Sequence, residues 1–273
     1  MGESCVAPAA DALASSPVST YLYDQGWRQE RERLAGIESL WDPGTIRHLE
    51  ALGIGEGWSC LEVGAGGGAI VEWLCGRAGR VVATDLDTRF LEAIDAPNLE
   101  VRRHDITADE LPDERFDLVH ARLVLEHLPG RDAALERMAS LLAPGGWLLI
   151  EDYDWSSYGI EPRSQLGERA AEAVLTFMEE VAGFDRSYGR RLVGELRRVG
   201  LRDVEAEGRL RLIDPRSPGA DFYRLSLAAL RDTLAEQGRL AAPEADAVLA
   251  MLEDRDSTII SPVMVAAWGR APR

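Results

Sequence analysis

Leu61-Glu62-Val63-Gly64-Ala65-Gly66-Gly67-Gly68-Ala69-Ile70 decides how this chain folds. An apolar run of strand character enters a glycine turn and continues as a helix. The glycines allow positive φ and let a ligand lie against bare backbone, and the helix start offers free N–H groups with a partial positive charge. Glu62, two residues before the turn, adds a carboxylate facing the site. A negative group there suits a ligand bearing an ammonium or sulfonium better than one bearing a pyrophosphate. The spacing Gly64-x-Gly66-x-x-Ala69 also fits the dinucleotide-binding fingerprint, so the turn alone leaves both readings open.

The next four strands separate them. Arg80-Val81-Val82-Ala83-Thr84 reads as a second buried strand ending at Asp85-Leu86-Asp87, with Asp85 placed 19 residues after Gly66, where a carboxylate can accept both hydroxyls of a ribose. Leu99-Glu100-Val101-Arg102-Arg103-His104 gives a third strand ending at Asp105-Ile106, an acidic end suited to the exocyclic amine of adenine. Phe116-Asp117-Leu118-Val119-His120-Ala121-Arg122 is a fourth strand, and a Pro144-Gly145-Gly146 turn launches a fifth over residues 147–151. Carboxylates closing successive strands mark the carboxyl edge of an open α/β sheet, where such sheets bind ligands.

This succession, over about residues 45–155, resembles the class I S-adenosylmethionine-dependent methyltransferases, in particular the small-molecule branch of ubiquinone and menaquinone biosynthesis enzymes. The resemblance implies an α/β, Rossmann-like sheet of seven strands, mostly parallel, with the last antiparallel. It implies S-adenosylmethionine as cofactor: Glu62 with Gly64, Ala65 and Gly66 at the methionine part, Asp85 and Leu86 at the ribose, and Asp105 with Ile106 at the adenine. The backbone around Ala121 and Arg122 would meet the methionine ammonium.

Composition narrows the partners. The formal charge is −17 and all 30 basic residues are arginine, so lysine chemistry (Schiff base, general base, phosphate-loop lysine) is excluded. A polyanionic nucleic acid would be repelled at long range; the Arg190-Arg191 and Arg197-Arg198 pairs read as a solvated helix face. Cys5, Cys60 and Cys75 form no framework, which suits a reducing cytoplasm. His48, His104, His120 and His127 lack ligand spacing, so no metal is expected. No stretch reaches the length of a membrane span. A small molecule is thus the expected partner, and a homodimer remains open.

Along the chain, residues 1–20 read as a disordered tail rich in Ala, Ser and Pro. Residues 21–52 read as a helical lid with one helix over 27–41 and a second over 45–52, and Tyr21, Tyr23, Gln25 and Trp27 are placed either to shield the cofactor or to pack on the sheet edge. Residues 53–273 form the main domain, carrying helical cap insertions at about 161–200 and 214–257 that leave the sheet on the substrate side. Residues 187–199 are expected as a cap helix, 201–212 as the sixth strand and 258–268 as the closing strand. Phe177, Phe184, Tyr188, Phe222 and Tyr223 are the aromatics available to line the cap, by packing or by substrate contact.

Methyl transfer from a sulfonium asks the protein for alignment and dryness, and a general base adds to the rate when the acceptor carries a proton. His127, in Leu125-Glu126-His127-Leu128-Pro129, is one candidate base, with a pocket-lining role as its alternative. The run Glu151-Asp152-Tyr153-Asp154-Trp155-Ser156-Ser157-Tyr158 holds the others: Asp152, Tyr153 and Asp154, the two aspartates sharing a face by alternation. The Asn/Asp-Pro-Pro-aromatic tetrapeptide of base and glutamine methyltransferases is replaced by Ala121-Arg122-Leu123-Val124, which disfavours those substrates. The competing functions are a nicotinamide-dependent oxidoreductase using the same turn, and a cofactor-binding regulatory protein without catalysis.

Overall fold

The computed structural model describes residues 29–111 and 114–273. The expected tail and the shielding residues Tyr21, Tyr23, Gln25 and Trp27 lie outside them.

Alternating chain segments of branched apolar residues and of helical pattern wind a parallel sheet. Its strands are β1 (Ser59–Val63), β2 (Arg80–Asp85), β3 (Leu99–Arg103), β4 (Phe116–Arg122) and β5 (Leu142–Asp154). After β6 (Gly159–Glu161), the chain returns to the sheet as β7 (Arg202–Arg209), leaves it through β8 (Leu212–Ile213) and β9 (Thr258–Ile260), and closes it with β10 (Val263–Arg270). The seven-stranded sheet runs β3-β2-β1-β4-β5-β10-β7, with β10 antiparallel to both neighbours. This is the seven-stranded, mostly parallel architecture that the motif succession implied. The β1–β4 junction, where strand order reverses, puts the glycine turn at the ligand-binding switch point of the sheet.

Helices cover both faces. α1 (Glu30–Leu52) and α2 (Ala69–Cys75) lie on one side, with Leu49, Ile70, Val71 and Leu74 packed on β1 and β2. α3 (Arg131–Ser140) lies on the other. The cap holds α4 (Gln165–Ala182), started by Ser164 accepting from the Gly167 N–H at 3.0 Å and stopped by Gly183 in the left-handed region. After α5 (Leu192–Arg198) come α6 (Pro218–Glu236) and α7 (Ala242–Glu253), each opening with proline in its first turn. β6, β9 and β8 make a small antiparallel sheet beside these helices.

Five expectations are corrected. The N-terminal helix is continuous through Pro43 instead of breaking into two. Proline removes one backbone bond, but anchors on either side keep the axis: Trp41 Nε1 donates to the Tyr153 hydroxyl at 2.6 Å and Thr45 Oγ1 donates to Glu151. The 258–268 strand is two strands in two sheets, divided at Ser261-Pro262; proline cannot continue the ladder, and Ser261 Oγ instead accepts from the Arg211 N–H at 2.9 Å. Residues 201–212 divide likewise into β7 and β8. Finally, the helix expected over 187–199 forms only over α5 and packs on the sheet, where Leu192 and Leu196 join Leu148 and Ile150 in the core; it is no part of the cap. Pro144-Gly145-Gly146 is a bulge within β5, between the pairs Phe116–Leu142 and Leu118–Trp147.

α1 and α6 approach so closely that a Cβ at Gly36 would stand 2.8 Å from the Phe222 nitrogen, and one at Gly219 2.4 Å from Leu40 Cδ2. Gly36→Ala is therefore expected to destabilise by about 1–3 kcal/mol through overpacking, read as a lower urea midpoint. Gly55→Ala, at a position open to solvent, is the control and should leave the midpoint unchanged.

Candidate functional site

The strand ends converge on one cavity of about 260 Å³ at the carboxyl edge of the sheet. Gly64 sits at φ +69°, and a Cβ there would meet Val124 Cγ2 at 2.4 Å, so the turn admits glycine alone. The Gly64 and Ala65 N–H groups donate to the Thr84 carbonyl at 2.8 and 3.0 Å, and Gly66 N–H donates to Asp85 Oδ2 at 2.8 Å. The first turn is thus stitched to the end of β2.

Of the sequence candidates, Glu62, Gly64, Ala65 and Gly66 line one end of the cavity, together with Asp85, Leu86, Asp105 and Ile106. Arg122, His127 and Tyr153 line it further along. Three candidates lie elsewhere. Ala121 is 1 % exposed and packs into the core on the α3 side. Asp152 and Asp154 do share a face of β5, as alternation requires, but it is the face turned from the cavity. Asp152 is completely buried, and Asp154 accepts from Arg190 at 2.6 and 2.9 Å and from the Ser156 N–H. Glu151 and Tyr153 occupy the cavity-side face instead. Tyr23 and Trp27 fall outside the described residues.

Glu62 is held by a buried chain of charge. The His120 imidazole donates from Nδ1 to Glu62 Oε2 at 2.6 Å and from Nε2 to Glu151 Oε2 at 3.4 Å. Burial opposes its charge, yet the two carboxylates hold its pKa up at about 9. Glu151 is correspondingly held down at about 2: burial works to raise it, but His120, Arg209 and Arg122 outweigh that. Arg209 of β7 and Thr45 of α1 both donate to Glu151. Arg122 donates to Thr45 Oγ1 at 3.0 Å and to Asp42 Oδ1 at 2.7 Å. The chain therefore joins the cavity wall to the helix above it.

That helix forms a roof, with Leu34, Ile37 and Glu38 of α1 over the glycine turn. Beside them, Arg33 makes a buried two-pronged bond to Glu30 at 2.7 and 2.8 Å. At the floor, Leu123 takes φ +56°, a left-handed conformation costly for a branched residue. It places the backbone after β4 against the cavity.

Two further groups were not legible from spacing. His104 lines the end formed by Asp105 and Ile106, and both of its ring nitrogens are buried with no hydrogen-bond partner. Burial lowers its pKa, so the ring is neutral and offers one donor and one acceptor. Glu126 lies beside His127, with Oε1 3.5 Å from His127 Nε2, and its Oε2 accepts from the Tyr153 N–H at 2.9 Å. Burial, then the nearby Asp152, raises the Glu126 carboxyl well above its ordinary range. Burial, with Arg33 and Arg131 near, pushes His127 down to about 3. The signal for His104 was its place one residue before the acidic strand end.

The cap contributes the far wall: Tyr158 and Tyr223 stack with ring centroids 5.3 Å apart, and Trp155 stands edge-on to both Tyr153 and Tyr158. Of the aromatics offered for this role, Phe222 and Tyr223 line the cavity, whereas Phe177, Phe184 and Tyr188 are packed away from it. Among the described residues no cluster of three or more His, Cys, Asp or Glu side chains could hold a metal ion, and no helix is long and apolar enough to cross a membrane.

Residues 61–150 match the family model described as methyltransferase domain. The chain is 36% identical over 170 residues to methyltransferase str2 of Strobilurus tenacellus, covering 58% of this chain and 60% of that one. It is 26% identical over 162 residues to the ubiquinone biosynthesis O-methyltransferase of Paraburkholderia phytofirmans, covering 54% of this chain and 70% of that one. The chain thus spans well under the full length of these relatives. Phosphoethanolamine N-methyltransferase 2 of Haemonchus contortus, solved with phosphomonomethylethanolamine and S-adenosylhomocysteine, shares the fold at a TM-score of 0.54 and 18% identity, over 85% of this chain and 53% of that one.

The buried chain sets a pH dependence. His120 titrates at about 9 in the fold against 6.5 ordinarily, so its stabilisation is complete below pH 6.5 and lost as pH rises through 9. Glu151, held at about 2 against 4.5, stabilises above pH 4.5 and ceases to do so as pH falls through 2. Urea midpoints should accordingly fall between about pH 7 and 9.5, and His120→Gln should flatten that slope. An unchanged slope in the variant would assign the alkaline loss to another group.

Proposed function

We propose that this chain, whose residues 61–150 match the methyltransferase domain model, moves a methyl group from S-adenosylmethionine to a small organic acceptor. The observation that carries the reading is one cavity lined at one end by the glycine turn and the acidic strand ends, and at the other by cap aromatics. S-adenosylmethionine supplies, when bound, a methyl group already activated on a sulfonium.

The residues present fit that cofactor. Unpartnered His104, beside Asp105 and Ile106, offers a donor and an acceptor to the edge of an adenine. Asp85 ends β2 where ribose hydroxyls would be received. Burial raises its carboxyl, and the Gly66 and Asp87 N–H groups partly offset this. Glu62, fixed by His120, gives the methionine end a negative wall. Asp105 Oδ1 accepts from Thr107 N–H at 2.8 Å, which orients its carboxylate in the loop.

On the acceptor side, Tyr153 and His127 are the candidates that face the cavity. Orientation and exclusion of water under α1 carry most of the rate, worth about 7–11 kcal/mol in favourable cases. His127, neutral at pH 7 and backed by Glu126, accepts a hydrogen bond from an acceptor hydroxyl and orients it. Its pKa of about 3 makes it a weak sink for a proton. A charge of −17 disfavours nucleic acid as substrate, and the free thiols of Cys60 and Cys75 are consistent with a reducing cytoplasm.

Calorimetric titration tests the reading. S-adenosylhomocysteine is expected to bind, NAD not to, and Asp85→Ala to weaken the former by about 10- to 100-fold, the worth of a charged hydrogen bond. Binding of NAD alone would move the protein to the oxidoreductases. In a methylation assay His127→Asn should lower kcat by less than about 100-fold, the low end for loss of a general base. A larger fall would make His127 the base.

A further inference from the structure

The cap half of the cavity has a character of its own. Its lining from β6, α4, α6 and α7, including Ile160, Val174, Met178, Leu227 and Val248, contains no charged side chain. The charged groups come from α1, from the strand ends and from Glu126 in the turn after β4. Within this uncharged half the Tyr158 and Tyr223 rings stack 17° from parallel, leaving flat outer faces, and Trp155 meets Tyr158 at 70° to make a corner. Such a corner accepts a flat ring by stacking and edge contact.

Three polar atoms interrupt the apolar lining. Trp155 Nε1 and Ser226 Oγ are buried without a hydrogen-bond partner, the Tyr223 hydroxyl is buried with only the Tyr153 hydroxyl beside it, and all three residues line the cavity. Tyr223 is 4 % exposed, and burial, then its neighbours Tyr153 and Tyr158, pushes its hydroxyl well above the ordinary range, so it keeps its proton. The Tyr153 hydroxyl is likewise kept protonated by burial, and it accepts from Trp41 Nε1. An indole N–H can only donate, and a buried donor left unmatched is costly. The apolar wall is therefore equipped with donors and lacks a cation.

We infer that the methyl acceptor is an uncharged, largely apolar molecule with a flat ring, seated against Tyr158 and Tyr223, whose oxygen receives hydrogen bonds from Trp155 Nε1 and the Tyr223 hydroxyl. This inference rests on the methyl-transfer reading for the word acceptor; the subsite itself stands on the cap alone. An anionic or phosphorylated ligand would bring a charge into a half whose own lining has no cation, the Arg33 guanidinium over Phe222 being already paired with Glu30.

Binding of three matched probes tests it, each titrated into the full chain saturated with S-adenosylhomocysteine: 2-naphthol, 2-methylnaphthalene and naphthalene-2-sulfonate. We expect 2-naphthol to bind at least about tenfold tighter than the sulfonate. Tyr223→Phe and Ser226→Ala each delete a single polar function, whereas Trp155→Phe also removes part of the ring. Tyr223→Phe should weaken 2-naphthol by about three- to tenfold while leaving 2-methylnaphthalene unchanged, and Trp155→Phe should weaken 2-naphthol by about three- to tenfold more than it weakens 2-methylnaphthalene; Ser226→Ala, a smaller excision, guards against loss of fold. Equal or tighter binding of the sulfonate, no binding of 2-naphthol, or variants that lower both neutral probes alike, would overturn the proposal. If S-adenosylhomocysteine fails to bind while the probe pattern holds in its absence, the methyl-transfer reading falls and the subsite remains.

Discussion

A charged imidazole in the middle of the sheet is the interaction on which the site depends. His120 lies between Glu62 and Glu151 with no solvent exposure. Burial drives a carboxylate such as Glu151 toward protonation; the imidazolium, with Arg209 and Arg122, outweighs that and keeps it ionised. Removing one member of such a set leaves a bare buried charge, at a cost of about 3–5 kcal/mol. Glu62 thereby keeps a fixed negative face at the cavity wall, while Glu151 gathers Thr45 of α1 and Arg209 of β7. The roof helix is tied to the sheet by the same charges that prepare the floor.

Much of the architecture was legible because apolar strand runs, glycine turns and acidic strand ends are local signals. The positions of Glu62, Asp85 and Asp105 follow from where β1, β2 and β3 stop, and strand ends of a parallel sheet must share one edge. What was not legible depended on partners distant in sequence. Pro43 looks like a break until Trp41 and Thr45 are seen anchored to Tyr153 and Glu151, more than 100 positions away. Asp152 and Asp154 looked like site residues because polar groups at a strand end attract that reading. Alternation paired them correctly, but only tertiary packing tells which face meets the cavity, and that face belongs to Tyr153.

His104 and Glu126 show the same limit from the other side. Neither stands in a distinctive spacing, and each acquires meaning from burial: His104 through two unmatched ring nitrogens, Glu126 through its contact with His127. Leu123 adds backbone strain at the end of β4, which no side-chain pattern reports. The cavity joins a half that is acidic and shaped by main chain to a half that is aromatic and uncharged. The proposed cationic donor and neutral acceptor would be sorted to opposite ends by this difference in charge.

Amide hydrogen exchange with and without S-adenosylhomocysteine tests most directly whether the donor occupies the glycine-turn end beneath α1. Protection is expected over residues 62–67, 85–87 and 104–107 and in the first turns of α1, with the outer end of β5 around Asp154 unchanged. Protection confined to the cap, or none at the three strand ends in a protein that binds the ligand, would contradict the assignment.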